Sequence, residues 1–327
     1  MKTIRHVALL VFDGIQVLDV TGPAAVFAAA NDAFGKPFYQ VHILSAQGGL
    51  VTSNSAIVLD TAPLASLAPE AADTVLIVGG DSIGLKAVAQ DETVRDWLVQ
   101  ASAGARRYGS VCTGALVLAA FGLVRGKRVT THWEATSILS RSHPELQVDA
   151  NALYVEDGRV WTSAGVTTGI DMCLALVARD LGDAVANAIA KRLVLYARRP
   201  GYQTQFSPVL AAQAKVESSF STLLDWMVAH IGERLDVTCL AERAAMSPRN
   251  FHRRFTEAVG ETPARFVETL RLDHARHLLA TAASLKEIAA KIGFANQVQF
   301  SKAFVRRFGV SPGLFREMHH SASPGQE

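Results

Sequence analysis

Cysteine is scarce in this 327-residue chain: Cys112, Cys173 and Cys239 are the whole set. Three thiols so far apart offer neither a disulfide framework nor the spacing of zinc ligands, so no metal and no cofactor is expected. Long apolar runs are missing as well. The longest stretch without a polar side chain, 114–124, is about half the ~20 residues that a spanning helix needs, despite a mean hydropathy of +0.19. The opening Met1-Lys-Thr-Ile-Arg-His runs into a strand-like segment without the apolar core or the small-residue cleavage site of a secretory signal. Charge is modest at 19%, yet 49% apolar content excludes a disordered chain. The expectation is a cytoplasmic protein that meets no membrane and is long enough for two cores.

The net charge of +2 hides an asymmetry. Residues 1–200 carry 17 Lys/Arg against 18 Asp/Glu, a balance of −1, whereas 201–327 carry 15 against 12, or +3. Within 247–316 the count is 12 against 5, or +7. A basic segment beside a near-neutral one points to a polyanion meeting only the C-terminal part.

Strand-like runs at 7–12, 39–44, 74–78 and 107–111 alternate with helical stretches at 23–33, 85–103, 114–121 and 170–181. That order predicts a parallel sheet flanked by helices. Segments 51–59 and 152–161 read as antiparallel additions, the second turning at Glu156-Asp157-Gly158-Arg159. A helix is expected over 184–198, then a linker after Arg199-Pro200-Gly201, and from Glu217 onward nearly everything is helical.

The C-terminal part repeats itself. Phe251, Phe255, Gly260, Pro263 and Phe266 recur 49 residues later as Phe300, Phe304, Gly309, Pro312 and Phe315. Leu240, Ala241 and Met246 recur 48 residues later as Ile288, Ala289 and Phe294, so one extra residue falls in the turn of the second unit. Each unit has a helix-turn-helix layout. Ser247-Pro248 supplies an N-cap and a first-turn proline, and Phe251, Phe255 and Val259 form the inner stripe of the following helix. Its outer side offers Arg249, His252 and Arg253 near the N-terminus, where a recognition helix meets base edges. Asn296 caps the matching helix, which offers Gln297, Val298, Gln299 and Lys302, with Arg306 and Arg307 further along and placed for phosphates. Arginine pairs with guanine, glutamine with adenine, and Val298 suits a thymine methyl.

These residues resemble the AraC/XylS family of transcriptional regulators over about 217–318. The resemblance implies two helix-turn-helix units joined by a long helix at about 263–279 and inserted into adjacent major-groove segments of double-stranded DNA. Arg265, Arg271 and Arg276 are expected on the outside of that linking helix.

In the first half, Gly109-Ser110-Val111-Cys112-Thr113-Gly114-Ala115 sets a cysteine where a strand ends and a helix begins. Small neighbours permit the tight turn of a nucleophile elbow, and the helix terminus is expected to favour the thiolate. With Leu18-Asp19-Val20-Thr21-Gly22-Pro23, Val78-Gly79-Gly80 and Thr130-Thr131-His132-Trp133, this stretch resembles the ThiJ/PfpI superfamily, related to class I glutamine amidotransferases. It resembles the GlxA-like group, in which such a domain precedes an AraC-type one. The resemblance implies a flavodoxin-like α/β sandwich, a homodimer, Asp19 against Cys112, and Gly79 and Gly80 amides donating toward a bound carbonyl or oxyanion. Thr113 stands where protease-like relatives carry histidine, which argues against a peptidase.

The expected organisation is a ligand-sensing domain at 1–185, a connecting helix and linker at 186–216, a DNA-binding domain at 217–318 and a disordered tail at 319–327. The expected function is a sequence-specific transcriptional regulator responding to a small nitrogenous metabolite, with DNA, that effector and RNA polymerase as partners. The pocket residues are Cys112, Asp19, Thr113, Gly79, Gly80 and His132. The competing reading is a cysteine-dependent enzyme of isonitrile hydratase, hydrolase or glyoxalase type, ranked second to the regulator.

Overall fold

The computed structural model describes residues 4–195, 198–202, 205, 220–279, 281 and 283–320. The chain divides into two compact units, Met1–Gln205 and Phe206–Glu327.

The first unit runs β1 (Arg5–Leu10), α1 (Leu18–Phe34), β2 (Tyr39–Ser45), β3 (Gln47–Thr52), β4 (Val58–Pro63), β5 (Ala72–Ile77), α2 (Ser82–Gln90), α3 (Glu92–Gly104) and β6 (Arg107–Val111). It continues through α4 (Gly114–Ala120), β7 (Arg128–Val129), α5 (Trp133–Ser142), β8 (Gln147–Val148), β9 (Tyr154–Asp157), β10 (Val160–Ser163), α6 (Thr167–Leu181) and α7 (Asp183–Arg192). Eight strands join in the order β3-β4-β2-β1-β5-β6-β10-β9. The central strands β2, β1, β5, β6 and β10 are parallel, and β3 and β9 close the two edges antiparallel.

Central strands covered on both faces must be apolar on both, and Val7 to Leu10 and Val75 to Ile77 are all buried. On one face Phe27, Met172 and Val177 of α1 and α6 build a core that α7 completes with Ile189. On the other, Leu98, Leu118 and Leu139 of α3, α4 and α5 build a second. This is the flavodoxin-like architecture expected.

Several expected boundaries need correction. The helix predicted at 85–103 is two helices, because Asp91 leaves the helical conformation and its carboxylate caps Thr93 and Val94 at 2.8 and 3.1 Å. The helix predicted to begin at Pro23 begins at Leu18 and carries Pro23 inside it, so Asp19 lies in a first turn. The helix predicted to reach 198 stops at Arg192, where Val194 takes a left-handed φ of 55°. Buried Ala186, Ile189 and Ala190 also make α7 part of the first unit, beyond the boundary expected at 185. Much of the predicted linker lies outside the described residues, as does the tail from 321, and the final helix runs to His320.

The second unit contains α8 (Ser221–Ala229), α9 (Val237–Arg243), α10 (Pro248–Val259), α11 (Pro263–Leu279), α12 (Leu285–Lys291), α13 (Gln297–Phe308) and α14 (Pro312–His320). The repeat is visible in the backbone. Asp236 caps α9 and Ser284 caps α12. Ala245 and Gly293, at matching positions, both turn through positive φ (54° and 77°), and the caps Ser247 and Asn296 then open the second helix of each unit. The extra residue therefore sits at the turn of the second unit, before Asn296. Gly260 and Gly309 end α10 and α13 in the left-handed region, where a side chain would be strained.

Matching phenylalanines meet edge to face, Phe255 with Phe266 at 5.5 Å and Phe304 with Phe315 at 5.3 Å. In the linking helix α11 the structure overturns an expectation. Arg276 is only 4% exposed and lies over the Phe308 and Phe315 rings, while Arg271 reaches the carbonyls of Ile231 and Glu233. Only Arg265 of the three is fully outside.

Candidate functional site

β6 delivers its last residue to the carboxyl edge of the sheet, and Cys112 turns the chain there with φ 58°, an unfavourable value for a residue with a Cβ. The turn is pinned by long-range hydrogen bonds. The Cys112 amide donates to the Ser163 carbonyl at 2.9 Å, and the Thr131 hydroxyl donates to the Cys112 carbonyl at 3.0 Å. Space is made by glycine. A Cβ at Gly165, itself at φ 87°, would stand 2.2 Å from the Cys112 Cβ, and one at Gly114 would stand 2.4 Å from the Ile77 carbonyl oxygen.

Asp19 is fully buried beside the thiol. Its Oδ1 accepts the Val166 amide at 2.6 Å, its Oδ2 accepts the Gly79 amide at 3.2 Å, and the Cys112 side chain completes its partners. Burial raises its pKa to about 6, and these three hydrogen bonds hold it from rising further. The thiol is pushed the other way from the sequence expectation. Burial first, and then the Asp19 charge, raise its pKa far above a free cysteine, and the Thr113 contacts offset only part of this. At neutral pH the pair is a carboxylate accepting from a thiol. No thiolate is favoured, because the cost of burying a second negative charge outweighs the helix terminus.

The glycine amides are also used differently from expectation. Gly79 donates to Asp19, and Gly80 donates to the Thr113 hydroxyl at 3.0 Å, so both are engaged within the protein and neither waits for an oxyanion. Thr113 returns its own proton to the Gly80 carbonyl at 3.2 Å. His132 stands at the start of α5 with its Nδ1 3.7 Å from Glu134 and its ring tilted against Trp133. Partial burial lowers its pKa, the Glu134 charge opposing, and none of its described contacts joins it to Asp19 or Cys112. The structure thus brings together Cys112, Asp19, Thr113, Gly79 and Gly80.

Ser163, Gly165 and Val166 belong to the same cluster and were missed. The signal was available: Ser163-Ala164-Gly165 is a small-residue run between a strand and a helix, as in the cysteine elbow itself. Cys173 is buried in the core, as a packing residue. Among the described residues no group of three or more His, Cys, Asp or Glu could hold a metal ion, and no helix is long and apolar enough to cross a membrane.

A cavity of about 480 Å³ opens elsewhere on the carboxyl edge, and none of the six predicted pocket residues lines it. Its walls include Leu50, Val51 and Val88, with Asp13, Asp81 and Asp91 but no lysine or arginine. The Gly79–Gly80–Asp81 turn belongs to both places, since Asp81 lines the cavity while the two glycines hold Asp19 and Thr113.

In the second unit, α10 buries Phe251, Phe255 and Val259 and leaves Arg249, His252, Arg253 and Arg254 exposed. Arg253 is steadied by Glu257 at 3.0 Å and Asn250 at 3.2 Å. On α13, Phe300, Ala303 and Phe304 are buried while Gln297, Val298, Gln299 and Lys302 are exposed. Arg306 is exposed too, but its guanidinium is tied to Glu268 of α11 at 2.7 and 2.8 Å, an arrangement the sequence did not reveal.

Fold and site thus define an α/β domain with a cysteine elbow, followed by a duplicated helix-turn-helix module. The chain belongs to the DJ-1/PfpI family, whose model matches residues 5–179, and a helix-turn-helix domain model matches 240–318. It is 31% identical to the HTH-type transcriptional regulator CdhR of Pseudomonas aeruginosa over 94% of this chain and 90% of that one. It is 29% identical to the HTH-type transcriptional regulator GlxA of Rhizobium meliloti over 96% of both. The isonitrile hydratase of Pseudomonas putida is 34% identical over 65% of this chain and 88% of its own. A ThiJ/PfpI family protein from Pseudomonas syringae superposes with a TM-score of 0.54 at 25% identity, over 69% of this chain and 90% of that one.

Proposed function

We infer that this protein is a sequence-specific DNA-binding transcriptional regulator whose DJ-1/PfpI domain binds a small nitrogenous effector. The observation that carries the reading is the duplicated pair of surface helices, α10 and α13, each backed by buried phenylalanines and tipped with exposed base-reading side chains. Likeness along nearly the whole chain to HTH-type regulators supports it. Each protomer would cover two major-groove segments about one helical turn apart, ~34 Å. An effector acts by binding two arrangements of the regulator with different affinity, since only that difference can shift their populations.

For the effector, the carboxyl edge of the sheet is the favoured place, as in open α/β domains generally. The 480 Å³ cavity has the volume of a small-metabolite site, and three aspartates without a basic neighbour suit a cationic nitrogen. A ligand there would press on the turn that also holds Asp19 and Thr113 around Cys112. The test is a gel-shift titration against DNA upstream of the regulated gene. Arg249→Ala and Lys302→Ala are each expected to weaken binding about fivefold or more and to flatten its salt dependence. Unchanged binding in both variants overturns the placement of the DNA-reading face.

The likeness to an isonitrile hydratase and the Asp19–Cys112 contact favour a second reading, a cysteine-dependent catalyst. It requires turnover on an isonitrile, amide or dicarbonyl that Cys112→Ser abolishes with DNA binding intact. The protonated, buried thiol places it second.

A further inference from the structure

The internal repeat supplies its own alignment of the two recognition helices. At the offset of 49 that matches Phe251 with Phe300 and Phe255 with Phe304, the outward positions 249, 252, 253 and 256 correspond to 298, 301, 302 and 305. Those four positions carry Arg, His, Arg and Thr on α10 but Val, Ser, Lys and Val on α13. The difference is one of chemistry in equivalent places. Arg249 is exposed and has no partner among the described residues, so its guanidinium fork is open to a base. On α13, Val298 is 63% exposed and Val305 43% exposed, one on each side of Lys302 along the same stripe.

Two apolar side chains on an otherwise polar helix face thus leave much of their surface in water, Val298 most of it and Val305 somewhat less than half. Their neighbours Gln297 and Gln299 are exposed amides at the helix tip. The arginines at the far end of α13 do not alter this face, because Arg306 is held by Glu268 and Arg307 by Asp273 and Thr269 of α11.

We propose that the two helices read different base chemistry, so that the DNA site is asymmetric within each protomer's footprint. The segment under α10 carries guanine, gripped through O6 and N7 by Arg249. The segment under α13 is A·T-rich, recognised by thymine methyls against Val298 and Val305 and by adenine edges at Gln297 and Gln299. Valine and glutamine select the same base pair from its two sides, which is why the second segment is assigned as one class. This rests on the regulator reading above and adds to it the composition of the site.

The experiment begins with selection of a preferred duplex from a randomised library by the full-length chain, followed by titration of modified copies of that duplex. Replacing guanine by 7-deazaguanine removes N7, and replacing thymine by deoxyuridine removes only the methyl. In the segment whose preference is lost in Arg249→Ala, the 7-deazaguanine copy is expected to bind about five- to a hundredfold more weakly, and the deoxyuridine copy normally. In the other segment each contacted methyl removed is expected to cost about fourfold, and Val298→Ala with Val305→Ala should abolish that sensitivity. Equal sensitivity of both segments to either analogue overturns the proposal, as does a guanine requirement that depends on the α13 valines. If the chain selects no sequence at all, the regulator reading itself falls, and this proposal with it.

Discussion

A fully buried carboxyl with a pKa of about 6 costs the fold free energy whenever it ionises. Asp19 titrates at 3.8 when exposed and near 6 in the native protein, so the native state holds the extra proton between those values. Its contribution to stability is complete below pH 3.8 and is lost as pH rises through 6, a change of about 3 kcal/mol. Urea midpoints at pH 5 and 7.5 should therefore differ more for the native protein than for Asp19→Asn, which is expected to lose this dependence; equal differences would contradict the assignment. Gly165 faces a purely steric demand. An alanine there meets the Cys112 Cβ at 2.2 Å in a left-handed conformation, and Gly165→Ala is expected to destabilise the first unit by about 3 kcal/mol in chemical denaturation.

Among the elements of the first unit, the end of α6 acts as a clamp on the sheet. Asp180 accepts from Arg106 at 2.7 Å, from Tyr39 of β2 at 2.6 Å and from Arg107 of β6, and it is ion-paired with Arg5 of β1 at 2.9 Å. Its carboxyl is held well below the usual carboxylate range because hydrogen bonds and charge from these arginines outweigh the burial penalty. Removing that charge would leave buried Arg107 without its counterion, so Asp180→Asn is expected to cost about 3–5 kcal/mol, read as a lowered denaturation midpoint. The asparagine keeps the shape and loses the charge, which separates electrostatics from packing. The helix-turn-helix elements depend on sequence-local devices instead: caps at Ser247, Ser284 and Asn296, and left-handed stops at Gly260 and Gly309.

For the molecule as a whole, the two compact units own separate cores. The sheet has one on each face, and the helical unit has Phe220, Leu224, Phe251, Phe255 and Phe266 at the centre of its own. Separate cores imply separate cooperative units. Calorimetry is expected to resolve two transitions, and Phe304→Ala, which deletes a fully buried ring, should lower only one of them, by about 3–5 kcal/mol. A shift of both transitions together would show the units to be energetically coupled.

The sequence by itself determined the alternation of strands and helices, the duplicated helix-turn-helix and the cysteine elbow. Each of these is written in nearest-neighbour chemistry: apolar period, capping residue, turn glycine. The exposure of Arg249, Gln297 and Lys302 followed from the same local periodicity. What only the tertiary structure decided is how the pocket behaves electrostatically and which arginines are spent. Asp19 draws its partners from residues 60 and 147 positions away, so the dielectric and the hydrogen bonds that fix its proton could not be read nearby. The buried Arg276 and the tied Arg306 likewise depend on how α11 and α13 pack. Local pattern selects an element, but the charge state of a group belongs to everything folded around it.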